Sequence, residues 1–124
     1  MLGQLKVVNE NETLNWENYS RLKVENALRK KQPVFIDWTA KWCITCMVNK
    51  KNALQSETMK NLVKEKNILL LRADITNYSA ALNKALNFYK RASVPLYVYY
   101  DGKSDDYLLL PQILTTKTLE EYIR

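Results

Sequence analysis

The chain has 124 residues and a formal net charge of +6 at pH 7, with 47% hydrophobic and 26% charged residues. This length and composition fit one globular domain with a single core, and they exclude disordered, collagen-like and low-complexity chains. Because the sequence contains no histidine, His-ligated metals, Ser-His or Cys-His nucleophile pairs and imidazole acid–base catalysis are excluded as well.

The excess of basic residues does not predict a nucleic-acid partner, because these residues are spread along the chain among acidic ones. No apolar run approaches the ~20 residues that span a bilayer. The first residues also lack the apolar core of a signal peptide. We expect a soluble monomer, and a start at Met1 also fits a domain excised from a larger secreted or membrane protein.

The first part of the chain alternates predicted strands and helices. Residues 5–8 form a short apolar stretch that fits an edge strand. Helical spacing of apolar residues predicts a helix over residues 16–31, which Gln32-Pro33 ends. Residues 34–38 are rich in β-branched and aromatic side chains and predict a buried strand.

The strand signal ends before the two cysteines, and a helical pattern runs from there to about residue 66. A break is expected near Gln55-Ser56, because the serine would cap a second segment. Residues 68–74 predict a second buried strand, and the apolar stripe over residues 78–89 predicts the next helix.

The last part predicts a hairpin and a helix. Residues 94–100 and 106–110 are two predicted strands, and the loop between them carries the Asp101-Gly102 turn signal. The final helix carries three apolar residues, Leu119, Tyr122 and Ile123. The order βαβαβαββα predicts one α/β domain over residues 1–124, with a mostly parallel sheet, a C-terminal antiparallel hairpin and helices on both faces.

Cys43 and Cys46 are the two cysteines, and their Cys-x-x-Cys spacing permits three uses. A zinc site normally needs four protein ligands, so we expect no metal in a chain without histidine or a third cysteine. A structural disulfide around a loop of about four residues contributes roughly 2 kcal/mol, which is a weak cross-link for such a domain. A redox dithiol, with no bound cofactor, is favoured because the amino end of a helix stabilises a thiolate at Cys43.

The position of the pair predicts a division of roles. Cys43, nearer solvent, is expected to attack a partner's disulfide, and the more buried Cys46 to resolve the mixed disulfide. Cys46 must then lose a proton, and Asp37, on the strand that leads into the motif, is the predicted acceptor. Its apolar neighbours should raise its pKa, which suits proton transfer. A solvent-facing or purely structural acid is the alternative.

Three further positions and the spacer residues complete the predicted site. Trp42, directly before Cys43, is interpreted as a contact surface rather than a core aromatic. Pro95 opens a predicted strand after Val94, a position that suits an edge strand, and spacing alone does not predict a cis bond. The spacer Ile44-Thr45 carries nothing that strongly stabilises a thiolate, which favours a reductant over a strong oxidant.

Residues 34–46, Val94-Pro95 and the Gly102 hairpin together resemble the thioredoxin superfamily over almost the whole chain. The resemblance implies a thioredoxin-like fold in which Pro95 is a cis-proline packed against the disulfide and Val94 offers backbone hydrogen bonds to a docked peptide. Asp37 matches the buried acid of the family, and Trp42 matches its tryptophan.

Within the superfamily, the pattern Asp37-x-x-Ala40-x-Trp42-Cys43-x-x-Cys46 is similar to the C-terminal periplasmic domains of the DsbD family of thiol:disulfide interchange proteins. This resemblance implies a periplasmic domain of an inner-membrane protein. Such a domain takes electrons from a membrane-embedded dithiol domain and passes them to a periplasmic thiol–disulfide partner. Met47 and Thr39 depart from the superfamily pattern, and these departures concern the choice of partner.

Three alternatives stay open. The first is a stand-alone thioredoxin-like reductase. The second is a peptide-binding module with an inert structural disulfide, which would recognise peptides along the strand that begins near Val94-Pro95. The third, a copper or zinc carrier, is weak because the two thiolates lack further ligands within the chain.

Overall fold

The structure, a computed structural model, describes residues 14–124, so the strand predicted at residues 5–8 lies outside the described residues. The strands of the five-stranded sheet are β1 (Trp16–Asn18), β2 (Val34–Thr39), β3 (Leu69–Asp74), β4 (Leu96–Tyr100) and β5 (Leu108–Leu109), in spatial order β1-β3-β2-β4-β5. The helices are α1 (Arg21–Arg29), α2 (Ile44–Asn49), α3 (Glu57–Lys66), α4 (Ala80–Phe88) and α5 (Thr116–Tyr122). A π-helical segment, Lys50–Leu54, continues α2. The predicted α/β class with a mixed sheet is confirmed.

Helices cover both faces of the sheet, because successive side chains of a strand point to opposite sides. Val34, Ile36 and Trp38 of β2 belong to the core that α1 and α4 cover. Phe35 packs on the other face with residues of the π-helical segment, α3 and α5. By the same alternation Asp37 lies on the face of Phe35. The acid of the predicted site is therefore on the side of the sheet covered by the helices that follow the cysteines.

The helix predicted over residues 16–31 is wrong in its first part. Trp16 pairs with Leu70 as part of β1, the outermost of the described strands on that side of the sheet. Helix α1 begins only at Arg21, and the side chain of Ser20 caps it by accepting a hydrogen bond from the Lys23 N–H. A strand of three residues is too short to show an alternating pattern, so its pairing with β3 decides its conformation.

The helix predicted from the cysteines to residue 66 is broken, as expected, at Ser56. This serine caps α3 by accepting a hydrogen bond from the Met59 N–H. Before it, the chain continues from α2 into the π-helical segment without leaving the helix. Such segments are rare and occur often at functional sites, and this one directly follows the helix that carries Cys46.

Strand β4 corrects the predicted topology. β1, β3 and β2 are parallel, but β4 pairs antiparallel with β2. Trp38, near the end of β2, pairs with Ala73 of β3 on one side and with Leu96 of β4 on the other. The end of β3 and the start of β4 therefore lie at the same end of the strands. A long connection that contains a helix can join parallel or antiparallel strands. Here the connection through α4 brings the chain back to the end of the sheet at which β3 ends. β4 is also internal, so Pro95 is not on an edge strand and instead precedes the first paired residue.

The turn after β4 contains the predicted glycine. Gly102 has a φ of 83°, in the region that only glycine adopts freely. A Cβ there would lie 2.7 Å from the backbone oxygen of Lys31, so both the turn and the contact require glycine. The strand that follows is shorter than the predicted residues 106–110 and consists of Leu108–Leu109.

Candidate functional site

Cys43 and Cys46 form a disulfide at the start of α2, with Cα atoms 5.2 Å apart. Cys43 is the N-cap of the helix, and its Sγ accepts a hydrogen bond from the Cys46 N–H at 3.1 Å. Cys43 is 7% exposed and Cys46 1%, which is the order expected from the sequence. In the reduced protein the same N–H would favour a thiolate at Cys43, because hydrogen bonds to a charged form lower its free energy.

The disulfide lies at the edge of the sheet where β2 and β3 end and β4 begins. Ala40 packs with both cysteines, and Ile75 and Val94 contact this cluster. The Val94–Pro95 peptide bond is cis, and Pro95 is buried. The structure therefore brings the predicted Val94-Pro95 pair to the cysteines, and the cis bond agrees with the family resemblance.

Trp42 lies on the surface beside the disulfide and is 57% exposed, so it is not a core aromatic. Its indole Nε1 donates a hydrogen bond to the Thr76 carbonyl oxygen at 3.2 Å, and the Lys41 N–H donates to Thr76 Oγ1 at 2.8 Å. Asp74 orders this turn by accepting a hydrogen bond from the Thr76 N–H. Thr76 was not predicted, although Asp-x-Thr after a buried strand is a turn pattern. It fixes the backbone that leads into Cys43.

Asp37 is fully buried, which excludes a solvent-facing acid. Its Oδ2 accepts a hydrogen bond from Arg72 Nε at 2.8 Å, and its Oδ1 has no hydrogen-bond partner among the described residues. Burial raises the pKa of the Asp37 carboxyl, and the positive charges of Arg72 and Lys50 oppose this rise. Burial thus raises the pKa of Asp37, as the sequence predicted, and Asp37 also forms an ion pair with Arg72.

Arg72 is a residue of this site that was not predicted. It is the register partner of Asp37 on β3, and its guanidinium lies over the Trp16 ring, 4.1 Å from the centroid. The side chain of Arg72 is 28% exposed. One arginine within an apolar strand, next to a strand with one acid, is the signal in the sequence that points to this pair.

Asn49 connects α2 to the chain that follows β5. Its Nδ2 donates hydrogen bonds to the Tyr97 hydroxyl at 2.8 Å and the Gln112 carbonyl oxygen at 2.7 Å. Its Oδ1 accepts one from the Leu114 N–H at 3.0 Å. Gln112 Nε2 in turn lies 3.5 Å from the carbonyl oxygen of Pro95. Asn49 thus links the cysteine helix to the proline strand, and nothing in the sequence distinguishes it from an exposed polar helix residue.

The surface around the disulfide is apolar. Four exposed hydrophobic side chains lie on α2 and on the chain that Asn49 holds, Ile44, Met47, Val48 and Ile113. Lys41 and Lys51 are exposed on either side of α2. The exposed side chains of α2 are therefore largely apolar, with one exposed lysine before the helix and one after it in the chain.

Two further observations concern residues 14–124. Within them, no group of three or more histidine, cysteine, aspartate or glutamate side chains is placed to hold a metal ion. None of the helices in this part of the chain has the length and apolar composition needed to cross a membrane.

Comparison with known proteins finds matches of sequence and of fold. A family model described as thioredoxin-like matches residues 15–102. The thiol:disulfide interchange protein DsbD 1 of Pseudomonas aeruginosa is 30% identical over 76 residues, which are 61% of this chain and 12% of that protein. The chain therefore spans only a small part of this curated relative.

Two solved structures show the same fold. The oxidised C-terminal domain of DsbD from Neisseria meningitidis gives a TM-score of 0.66 at 16% identity, covering 85% of this chain and 97% of that domain. A thioredoxin from Thermus thermophilus gives 0.62 at 14% identity, covering 90% of this chain and 85% of that one.

Proposed function

The chain belongs to the thioredoxin-like family of thiol–disulfide oxidoreductases, and we propose that it reduces disulfides in partner proteins as one member of an electron relay. The observation that carries this proposal is the Cys43–Cys46 disulfide, whose more exposed sulfur begins a helix within an apolar surface. Cys43 is the more exposed of the two cysteines, so a partner would meet its sulfur first, and the adjacent N–H would stabilise its thiolate.

The reaction begins with the domain as a dithiol. The Cys43 thiolate attacks one sulfur of the partner's disulfide, so that a mixed disulfide forms and one partner thiolate leaves. Cys46 then loses its proton and attacks Cys43 Sγ, which releases the second partner thiolate. The partner gains two electrons, and the domain ends as the Cys43–Cys46 disulfide.

Asp37 takes the Cys46 proton in the second step. Three observations support this role: Asp37 lies on the sheet face covered by the helices that follow the cysteines, it is shielded from solvent, and its Oδ1 is not engaged by the described residues. A pKa raised by burial makes its carboxylate a stronger base than an exposed aspartate.

The partner's cysteine-containing segment docks between Trp42 and Val94-Pro95. Val94 contacts the cysteine cluster, and the exposed Trp42 donates a hydrogen bond from its indole Nε1 to the Thr76 carbonyl oxygen, which fixes its position. A peptide docked there lies beside Cys43 and hydrogen-bonds the backbone of Val94. Trp42 contributes apolar contact area, and Met47 offers a flexible side chain at the margin of the contact.

The similarity to DsbD supports a place for the domain in the periplasm, as part of a larger inner-membrane protein. There it is reduced by a membrane-embedded dithiol domain and reduces a periplasmic acceptor. The spacer residues Ile44 and Thr45 support the reducing direction, because neither strongly stabilises a Cys43 thiolate.

The test uses a disulfide-bonded peptide and the two single-cysteine variants. Reduced Cys46→Ala should accumulate a mixed disulfide with the peptide through Cys43, seen as a mass increase that excess dithiothreitol reverses. Cys43→Ala should form little of this adduct and lose reductase activity. Full activity in Cys43→Ala would overturn the assignment of roles. A wild-type disulfide that mild thiols do not reduce would instead support the peptide-binding module with an inert disulfide.

A further inference from the structure

We propose that a cavity at the end of the sheet opposite the disulfide binds an alkylammonium cation, supplied by a free amine or by a lysine side chain. The cavity has a volume of about 370 Å³ and is lined by residues of the turn after β4, of β5 and of the end of α5. Tyr99 borders it and pairs with Phe35 near the start of β2, whereas the cysteines follow the end of β2. The cavity is therefore separate from the disulfide and independent of the proposed redox function.

The cavity is acidic, although the chain as a whole has a net charge of +6. Among the described residues, three acids line it, Asp101, Asp106 and Glu121, against one basic residue, Arg124. None of the three acids forms an ion pair within residues 14–124. Arg124 Nε donates a hydrogen bond to the backbone oxygen of Glu121 at 2.9 Å, so its guanidinium is held at the end of α5. The carboxylates are therefore available to a cation from outside the chain.

A buried hydroxyl without a partner also points to a ligand. Tyr99 is 2% exposed, and its hydroxyl has no hydrogen-bond partner among the described residues. Burial, together with the nearby Asp101 carboxylate, raises the pKa of Tyr99 to about 12, so the hydroxyl stays protonated and lies near an acid of the cavity. An unpaired buried polar group costs free energy, and an ammonium N–H would supply a donor to this oxygen.

The side chains next to this hydroxyl permit access to it. Leu108 is the cross-strand neighbour of Tyr99, and Asp106 lies two residues before Leu108 in the chain. Both side chains line the cavity and are exposed, so their rotation would open the hydroxyl to a ligand. The ammonium group would then contact the carboxylates and the hydroxyl together.

Aromatic rings and a helix end favour an organic cation over a metal ion. Tyr107 and Tyr122 also line the cavity, and the faces of aromatic rings attract ammonium groups. Helix α5 ends here, and the carboxyl end of a helix carries a partial negative charge. In contrast, no group of three or more acidic side chains among the described residues is placed to hold a metal ion. The volume is near the lower end of the roughly 300–1,000 Å³ of ligand sites, which suits a short alkyl chain.

An amide NMR titration of the full chain, with its disulfide intact, tests the site. The probes are 1,4-diaminobutane for a free amine and Nα-acetyl-lysine methylamide for a lysine side chain, with butanol as the uncharged control. Both ammonium probes should shift the amide signals of residues 99–108 and 119–124 until saturation, and butanol should not. The dissociation constants should be millimolar, because water and salt screen the carboxylates. The probe that binds more tightly identifies the source of the ammonium group.

Two double variants of equal net charge separate this cavity from a general attraction to acidic surface. Asp106→Asn/Glu121→Gln removes two carboxylates of the cavity and should weaken binding about fivefold, the effect of two exposed ion pairs. Asp105→Asn/Glu120→Gln is the matched control, because it removes exposed neighbouring acids that do not line the cavity. Its effect should be less than about twofold.

Tyr99→Phe tests the hydroxyl, since it keeps the ring in the core and removes only the oxygen. It should bind both probes about tenfold more weakly, as expected for a hydrogen bond to a charged group. Tyr97→Phe removes a buried hydroxyl that does not line the cavity, and it should bind like wild type. The proposal is overturned by wild-type affinity in Tyr99→Phe, by equal weakening in the two double variants, by shifts that do not saturate, or by equal shifts with butanol.

Discussion

Replacement of Asn49 by alanine should destabilise the oxidised domain by about 3 kcal/mol. The residue is 1% exposed, and its side chain makes three hydrogen bonds, to Tyr97, Gln112 and Leu114. At a net contribution of about 1 kcal/mol for each, the three together give this value. Leu114 is buried, so its N–H would have no access to water as a replacement partner.

The measurement is urea unfolding with intact disulfide, monitored by tryptophan fluorescence, together with a thermal scan. For a domain of this size about 1 kcal/mol corresponds to about 4 °C, so the melting temperature should fall by about 12 °C. Asn52→Ala is the matched control, because Asn52 is an exposed asparagine in the π-helical segment, three residues further along the chain. Its effect should stay within about 0.5 kcal/mol.

An Asn49→Ala loss no larger than that of Asn52→Ala would refute this reasoning. It would mean that the three hydrogen bonds are replaced by water at no cost, and that the chain after β5 is held to α2 by other contacts. A loss near the expected value would show that the cysteine helix and the chain beside Pro95 are coupled through one amide side chain.

Three other changes test separate parts of the fold. Gly102→Ala should cost about 1–3 kcal/mol in urea unfolding, since φ is positive and the added Cβ meets the Lys31 backbone oxygen; a neutral effect would contradict the close contact. Leu119→Ala removes a fully buried side chain and should lower the free energy of unfolding by about 2–5 kcal/mol, whereas Leu22→Ala, at 63% exposure, should lower it by less than about 0.5 kcal/mol. Equal losses would contradict the burial of Leu119 in the core. Because burial raises the pKa of Asp37 above 3.8, the folded state keeps a proton that the unfolded state loses, so stability should fall as pH rises from about 4 through the raised pKa. Asp37→Asn should flatten that part of the curve, and parallel curves for the two proteins would argue against a raised pKa.

The sequence predicted the parts of the site that lie in one continuous segment. Asp37, Trp42 and the two cysteines fall within ten residues, where strand and helix patterns are clear and their spacing has chemical meaning. Their burial follows from those patterns, so Asp37 is buried, Cys46 is less exposed than Cys43, and Trp42 is at the surface.

The parts that were missed depend on pairing between distant segments. Arg72 reaches Asp37 only because β3 lies beside β2 in one particular register, and Trp16 reaches Arg72 only because β1 adds to the same sheet. The antiparallel direction of β4 also depends on its pairing with β2, because a connection through a helix can join parallel or antiparallel strands. Asn49 has no signal in the sequence, because its hydrogen-bond partners come from three separate places in the chain.

The direction of β4 also has a practical use. The strand begins beside Trp38, at the end of the sheet that holds the disulfide, and ends beside Val34 at the opposite end, about 14 Å away over four residue steps. The four residues that follow Gly102 are all exposed, Lys103, Ser104, Asp105 and Asp106. A fluorophore or a surface linker attached there would leave the cysteine face open to solution, so that an immobilised domain can still capture its disulfide partners.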